Sequence, residues 1–493
     1  MTRALTAAAV ALSAIWIALA LVVPFARLDY PFEVEWMGGA FADHVARILD
    51  GERIYVAPSA DFVPYLYTPL YMYAAAGVSL VTGEGFLPLR LTSILASIAT
   101  LILLHRFVRR RTGTRTPALV ACGVWSACYF LVETWYDAER VDSLFLALLL
   151  GGLSLLDSRR GMGSAVIAAL LMVLAYLTKQ TALLLVPPFA VFAAIRAPRR
   201  GLVFAVAFAA LWFAATRGMD RLHDGWFSYY TWTLPARHEY VFPPFVAFWV
   251  TDSRSLWPLL IATIWLFASR LRRGDARGAL ADGAWWGGLL LAGLASRMHV
   301  GGAVNVLMPT WLGFAIVAGL AWQRGREGGR TAIAAVLVAQ LAFFALKFGN
   351  SDQPRDPGLL DVAEYLPSDA DRAAGERLVQ LLRDADGDVL VPFHGYLPRM
   401  AGKRGGVHAM ALIDIRGSDD QELTERVMRE FWNSARARRA DLVVLDENLE
   451  SMGELIVPGY RFEGRLVPES ESDTFMPPIG LKTRPIMLFR RVD

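Results

Sequence analysis

Glu33 and Glu35 stand one residue apart in LDYPFEVEWMGGAFADHVARILDG, residues 28–51, with Asp29 and Asp43 on either side. These four carboxylates directly follow a run of some two dozen almost uncharged residues. A carboxylate at such a place can take a proton from a hydroxyl or ligate a divalent metal ion. Acids that merely solvate an external loop are the plain alternative, and three later stretches weigh against it. Glu139-Arg140 and Asp142 open an apolar segment in ERVDSL, Lys179-Gln180 interrupts another, and Arg297 and His299 sit in SRMHVGGAVNVLMP. Ionisable groups at membrane depth are costly and tend to mark functional sites. Guanidinium and ammonium groups suit phosphate. Each cation also has an ordinary reading: Lys179 snorkelling at a span end, Arg140 pairing with Asp142 or Glu139, and His299 as a satisfied external histidine. Carboxylates in the first external loop and cations in the later ones suggest a lipid-phosphate substrate that enters from the bilayer.

The elements that must position these groups are membrane spans. The 493 residues are 55% hydrophobic and 19% charged, below the roughly 25% charged of soluble domains. A span needs about 20 mostly apolar residues. Eleven candidates emerge: 4–26, 86–108, 117–134, 141–157, 162–178, 181–195, 201–217, 255–270, 278–296, 304–322 and 330–347. The first is too long for the ~7–15-residue apolar region of a signal peptide and has no clear cleavage site, so it reads as a retained span. Every second connection is basic: HRFVRRRTGTR, DSRR, RAPRR, SRLRRGDAR and QRGREGGR. Arginine-rich short loops stay cytoplasmic, which places the N-terminus inside and the C-terminus outside. Residues 66–82 cannot cross in that weave, so they are expected to dip into or lie along the outer leaflet. Within loop 27–85, residues 35–51 are expected to form a surface helix with Glu35, Gly39 and Asp43 on one face and Gly51 as its C-cap. The aromatic loop 218–254, with Arg221, His223, Arg237 and His238, suits an interface. Cys122 and Cys128 lie six apart in one apolar segment, where a helix turns them away from each other and no disulfide is expected.

The fold class expected is therefore a polytopic α-helical membrane protein, with about 11 transmembrane helices and periplasmic surface helices, over residues 1–348. Residues 349–493 regain charge. Helical stretches (AAGERLVQLLRDA, DQELTERVMREFWNSARARRA) alternate there with short apolar runs (DVLVPFH, DLVVLDE, IMLFRRV). That alternation predicts a small soluble α/β periplasmic domain. Its His394, Lys403, Arg404 and His408 read mainly as a solvated loop, with an anion-binding edge as the alternative. No nucleotide-binding loop, GxSxG or HExxH motif occurs in it.

The order and sidedness of these features resemble the C-type glycosyltransferase superfamily, which includes protein O-mannosyltransferases and the aminoarabinose transferases of lipid A. The resemblance rests on the acidic first loop, YTPLYMY, LRLTSILASIATLILLHRFVRRR, ERVDSL, TKQTALLLVP and HVGGAVNVLMP, and covers residues 1–347. It implies transfer of a sugar from a polyprenyl-phosphate donor to an acceptor on the periplasmic side of the inner membrane, with inversion. Glu35 and Glu33 would then be catalytic, with Glu35 favoured. Arg140, Lys179 and Arg297 would bind the donor phosphate, and Asp29, Asp43, Asp142 and His299 stand in reserve. Many members carry Asp-Asp or Asp-Glu where this chain has Glu-Val-Glu, which leaves the assignment between the glutamates open. The implied partners are the lipid-linked sugar, membrane lipids and an unidentified acceptor, with no nucleic acid; a divalent metal ion is a possible cofactor. A transporter or flippase of lipid-linked sugars is the alternative, though no internal repeat of the kind usual there is evident. A polysaccharide ligase or polymerase is the other.

Overall fold

The computed structural model describes residues 3–59, 61–158, 161–327, 331–346, 362–417, 421–437, 440–446, 459–467 and 474–492. All eleven segments read as spans are helical. They are α1 (Arg3–Ala26), α4 (Phe86–Thr112), α5 (Arg115–Leu131), α6 (Asp142–Asp157), α7 (Met162–Thr178), α8 (Ala182–Arg196) and α9 (Pro198–Leu222), followed by Trp257–Arg272, Ala276–Met298, Met308–Glu327 and Thr331–Phe343. In lipid every backbone polar group must be satisfied within the protein, so an apolar run of this length can only be helical. Four stretches among the described residues are long and apolar enough to cross a membrane by length and composition: Arg3–Ala26, Phe86–Thr112, Pro198–Leu222 and Val304–Arg326. The last is almost wholly buried. It carries the enclosed Trp311 and Trp322 and packs against α5 and Ala276–Met298, at the centre of the bundle. α1 lies against α5, and a Cβ on Gly123 would fall 2.6 Å from the Ser13 Cα. Only glycine permits that approach, as small residues generally do between membrane helices.

The basic connections gather at one end of the bundle. Arg111 of α4 pairs with Asp282 at 2.7 Å, and Arg270 reaches the same carboxylate at 3.0 Å. Asp157 at the end of α6 receives Arg196 of α8 at 3.2 Å. α3 (Leu70–Thr82) has 13 residues, roughly 20 Å of helix against a hydrocarbon core of ~30 Å. α2 (Gly38–Leu49) packs on α3, and Gly51, just past the helix, is in the left-handed region with φ 74°. Both cysteines are buried and free.

At the other end lies an α/β unit. Its sheet has the order β1-β2-β4-β3, with β1 (Val389–Leu390) parallel to β2 (Leu442–Asp446) and β4 (Pro485–Arg491) antiparallel to β2 and to β3 (Tyr460–Arg465). Helices Asp369–Arg383, Ala409–Arg416 and Gln421–Ala437 accompany it. Of the strands, β3 has no counterpart among the expected apolar runs, because it is largely exposed (YRFEGR). The boundary expected at 348–349 and the end of the last expected span lie outside the described residues.

Two buried arginines tie the first loop to the bundle. Arg27 grips Asp137 through two hydrogen bonds of 2.8 Å and also donates to the Thr134 and Tyr365 carbonyls. Arg90 of α4 holds Glu139 at 2.6 Å and donates to the carbonyls of Arg27, Leu28, Tyr30 and Phe32. Removing one partner of a buried ion pair costs about 3–5 kcal/mol, because the other is left charged and unpaired. Arg90→Ala should therefore lower the Tm of the detergent-solubilised protein sharply. Arg90→Lys, which keeps the charge but loses the fork of donors, should recover only part of it.

Candidate active site

Residues 33–36 run extended before α2. Val34 accepts a hydrogen bond from the Ile479 N–H at 3.0 Å, and Glu35 bridges Ile479 as a parallel strand would. The helix starts at Gly38, three residues after Glu35, so Glu35 does not share a helical face with Gly39 and Asp43 as expected. The cause is local. The Glu33 carboxylate accepts the Gly39 N–H at 3.0 Å, capping the first turn from outside and leaving residues 33–36 to pair with the C-terminal unit. A Cβ on Gly38 would come within 3.2 Å of the Glu139 carboxylate, which fills that corner.

Glu35 is fully buried. Its Oε2 accepts from Arg140 Nη1 at 3.3 Å and from the Met37 N–H at 3.3 Å, while its Oε1 has no hydrogen-bond partner among the described residues. Arg140 also donates to the Tyr67 hydroxyl and lies over the rings of Phe41, Tyr67 and Trp135 at 5.0–5.5 Å. Its Nε, and the Tyr65 hydroxyl, have no partner among the described residues either. Buried polar atoms are normally paired, and those left over in one place call for an explanation. Here four lie within one another's electrostatic reach: an oxygen of Glu35, an oxygen of Glu139, the Tyr65 phenol and the Arg140 guanidinium edge. Trp36 packs obliquely against Phe393 and His408 of the C-terminal unit.

The other cations are placed differently. Lys179 pairs with Asp142 at 2.5 Å, and Asn305 donates to the second Asp142 oxygen at 3.0 Å. Asp142 thus serves Lys179, not Arg140 as in the plain reading, although its charge still acts on Arg140. Arg297 is held elsewhere, by Asp252 at 3.0 Å and the Gly302 carbonyl. His299 bonds the Pro235 carbonyl at 3.3 Å and rests against Tyr240 and His238. Asp29 is exposed, 3.8 Å from Arg372. Asp43 faces Arg399 at 3.9 Å, and burial pushes its carboxyl up to about 8. The structure therefore brings Glu35, Arg140 and the Asp142–Lys179 pair into one electrostatic neighbourhood and sets Arg297, His299, Asp29 and Asp43 apart.

Among the described residues, no group of three or more His, Cys, Asp or Glu side chains is arranged to hold a metal ion. Glu35 offers one free oxygen, but Arg140 already supplies the positive charge beside it, and Glu33 and Asp43 are engaged elsewhere. This donor set does not fit a divalent ion.

The comparisons with known proteins agree with this architecture. A family model described as dolichyl-phosphate-mannose-protein mannosyltransferase matches residues 66–217. ArnT from Cupriavidus metallidurans, bound to undecaprenyl phosphate, superposes with a TM-score of 0.58 at 13% identity, covering 97% of this chain and 98% of that one. Its apo form gives 0.59 at 14% identity, covering 97% of each chain. The archaeal oligosaccharyltransferase AglB from Archaeoglobus fulgidus, in complex with an inhibitory peptide and a dolichol-phosphate, gives 0.54 at 10%, covering 92% and 72%. The chain has the C-type glycosyltransferase fold. No curated protein matches it in sequence.

Several residues of this candidate site escaped the sequence reading. Arg90 had a visible signal, a lone arginine at the fifth position of an otherwise apolar helix start, FLPLRLTS. His394 and His408, read mainly as parts of a solvated loop, are buried. His394 contacts Glu33 through Nδ1 and Asp446 through Nε2, the latter at 3.1 Å. Nothing local in FHGYLPRM announces that, since both carboxylates are far away in sequence.

Burial pushes the Glu35 carboxyl up to about 7; Arg140 opposes the shift, while Glu139 and Glu33 add to it. The protonated form is thus favoured below that pH and the carboxylate above it. Replacing Arg140 with Gln removes the only opposing cation, so Glu35 should titrate at higher pH than in the wild type. Infrared difference spectra of the carboxyl band across a pH series would read the shift.

Proposed function

We propose that this chain moves a sugar from a polyprenyl-phosphate donor to a hydroxyl of a lipid, glycan or protein acceptor, on the extracytoplasmic face of the inner membrane. The matched family's description names a dolichyl-phosphate sugar, and two of the similar folds are described with undecaprenyl phosphate and with a dolichol-phosphate. The observation that carries the reading is the state of Glu35. The other outer-end pairs are tight, at 2.6 Å for Arg90–Glu139, 2.5 Å for Lys179–Asp142 and 3.0 Å for Arg297–Asp252. Arg140–Glu35 is looser, at 3.3 Å; like Glu139, Glu35 also keeps one carboxylate oxygen without a hydrogen-bond partner among the described residues. A buried carboxyl poised near neutrality suits a general base at physiological pH.

In the proposed reaction, Glu35 accepts the proton of the acceptor hydroxyl as that oxygen attacks the anomeric carbon from the face opposite the phosphate. The bond between the anomeric carbon and the phosphate oxygen breaks, and the polyprenyl phosphate leaves with both electrons. The new glycosidic bond therefore has inverted configuration. Negative charge builds on the leaving phosphate, where preorganised cations contribute most. Arg140 is the first candidate to meet it, with Lys179 second, since a phosphate must compete with Asp142 for the ammonium. Arg297 is the least placed for the task, being held by Asp252. The basic end of the bundle is assigned to the cytoplasm and the C-terminal unit to the periplasm.

Glu35→Gln should insert and fold as the wild type does, yet lose at least about 100-fold in sugar transfer, the usual worth of a positioned base. Transfer from extracted polyprenyl-phosphate sugars, assayed with Glu33→Gln alongside, measures this. Full activity in Glu35→Gln would remove the base from this position. Wild-type kcat should fall away below pH ~7, as Glu35 takes up its proton, and hold above it.

A further inference from the structure

Glu33 is the nearest carboxylate to Glu35 in sequence, yet it does a different job. Its Oε1 caps α2, and its Oε2 meets His394 Nδ1. The opposite ring nitrogen of His394 reaches Asp446 at 3.1 Å, and the Thr483 hydroxyl donates to the same Asp446 oxygen. Glu33, His394 and Asp446 are all buried. A ring between two carboxylates, with one on each nitrogen, satisfies both acceptors only when both nitrogens carry a proton. His394 is thus an imidazolium inside the junction between the C-terminal unit and the first loop.

We propose that His394 is a positioning residue for the Glu35 site: its imidazolium, gripped by Glu33 and Asp446, favours the ionised form of Glu33 and so tunes the strength of Glu35 as a base. The proposal deepens the proposed function and rests on Glu35 as that base. The electrostatics run in one direction. Burial alone pulls His394 down, but Glu33 and Asp446 outweigh it and raise the ring to about 10, so it stays charged through neutrality. The Glu33 carboxyl lies above its ordinary value: burial pushes it up most, Glu139 and Asp446 add to the shift, and His394 opposes it through its charge and its hydrogen bond. Ionised Glu33 in turn raises Glu35. The remaining groups that act here are known. Arg140 lowers Glu35, and Glu139 raises both Glu33 and Glu35. Tyr65 and Tyr67 lie within the field of Glu35, and Tyr30 and Asp43 within that of Glu33. His408, beside His394, is driven down to about 3, chiefly by burial, and stays neutral.

Loss of the imidazolium leaves a buried Glu33 without its counter-charge, so it takes up a proton. Glu35 then loses the repulsion that strengthened it. Its titration moves to lower pH and its capacity to accept a proton falls. A merely structural junction predicts lower activity with an unmoved pH profile.

The test uses the full-length protein in proteoliposomes. Solid-state nitrogen NMR of 15N-histidine protein, with the His394 signals assigned by their absence in His394→Gln, should show both ring nitrogens protonated at pH 8. A neutral His394 ring there overturns the proposal independently of any activity. The pH dependence of kcat is then compared for wild type, Glu33→Gln, His394→Gln and Asp446→Asn. Glu33→Gln and His394→Gln should show a lower plateau and an acid limb displaced to lower pH, by roughly half a unit to one unit. Asp446→Asn removes a carboxylate that itself raises Glu33 and leaves the His394–Glu33 contact in place, so its limb should stay or move to higher pH. The double variant Glu33→Gln/His394→Gln should move no further than either single one, and Glu33→Gln carries the test if His394→Gln fails to fold. An unmoved or alkaline-shifted limb in folded Glu33→Gln or His394→Gln, or an acid-shifted one in Asp446→Asn, overturns the coupling. Full activity in Glu35→Gln, with His394 still protonated, refutes the base assignment and the coupling together. An inactive Glu35→Gln with an unmoved limb in Glu33→Gln and His394→Gln refutes the coupling alone.

Discussion

Arg90 answers a problem that every loop at a membrane surface faces: what to do with backbone carbonyls that water no longer reaches. Between the end of α1 and the first strand-like pairing at Val34, the chain makes little regular backbone structure. The guanidinium of Arg90 collects four of its carbonyls while neutralising Glu139. An unpaired buried backbone group costs on the order of 1–3 kcal/mol, so a residue that serves four of them and an anion fixes the path of the segment. Arg27, at the start of the same loop, does the corresponding work on the α5–α6 connection. It bonds Thr134, which has a left-handed backbone with φ 58°, and Asp137 beyond it. Glu33, Glu35 and Arg140 inherit their positions from these two arginines.

The end of the bundle that carries the C-terminal unit is thereby a set of matched charges. Arg27 answers Asp137, Arg90 answers Glu139, Lys179 answers Asp142, Arg297 answers Asp252, and His394 answers two carboxylates at once. Buried pairs of this kind give little net stability, but they are intolerant of misplacement. They hold the pocket in one arrangement, inside which the Arg140–Glu35 contact is the slack member. Slack is what a reacting group needs, since a tight ion pair holds a carboxylate in its charged form and lowers its basicity.

How much of this was legible in the sequence follows from the range of each interaction. The helices were legible because twenty apolar residues have one way to satisfy their backbone, and the arginine alternation is a local property of each connection. The acidic stretch stood out for the same reason: Glu33 and Glu35 follow a long apolar run. The assignment of partners was not legible. Arg140 was weighed against Asp142 and Glu139, its neighbours in sequence, yet it meets Glu35, 105 positions away. His394 meets Glu33 across 361 positions. Which cation answers which anion is a property of packing, and short-range spacing carries no trace of it. The start of α2 was misjudged because the bridge to Ile479, a residue of the tail, takes precedence over helix formation at Glu35.

The C-terminal unit touches the membrane portion through many separate connections. Ile479 pairs with Val34, Gly480 donates to Glu133, Tyr365 accepts from Arg27, Arg404 meets Asp61, and His238 bonds the Asp414 carbonyl. A domain attached in this way is not a module. Its sequence is constrained, contact by contact, by loops that lie hundreds of positions earlier in the chain. During divergence the two must change together or not at all. A chimaera with a relative's C-terminal unit would inherit a surface cut for other loops. Its graft points would have to include residues 27–69 and 133–142 as well as the tail, so the exchangeable unit of this protein is defined by its surface and not by a stretch of chain.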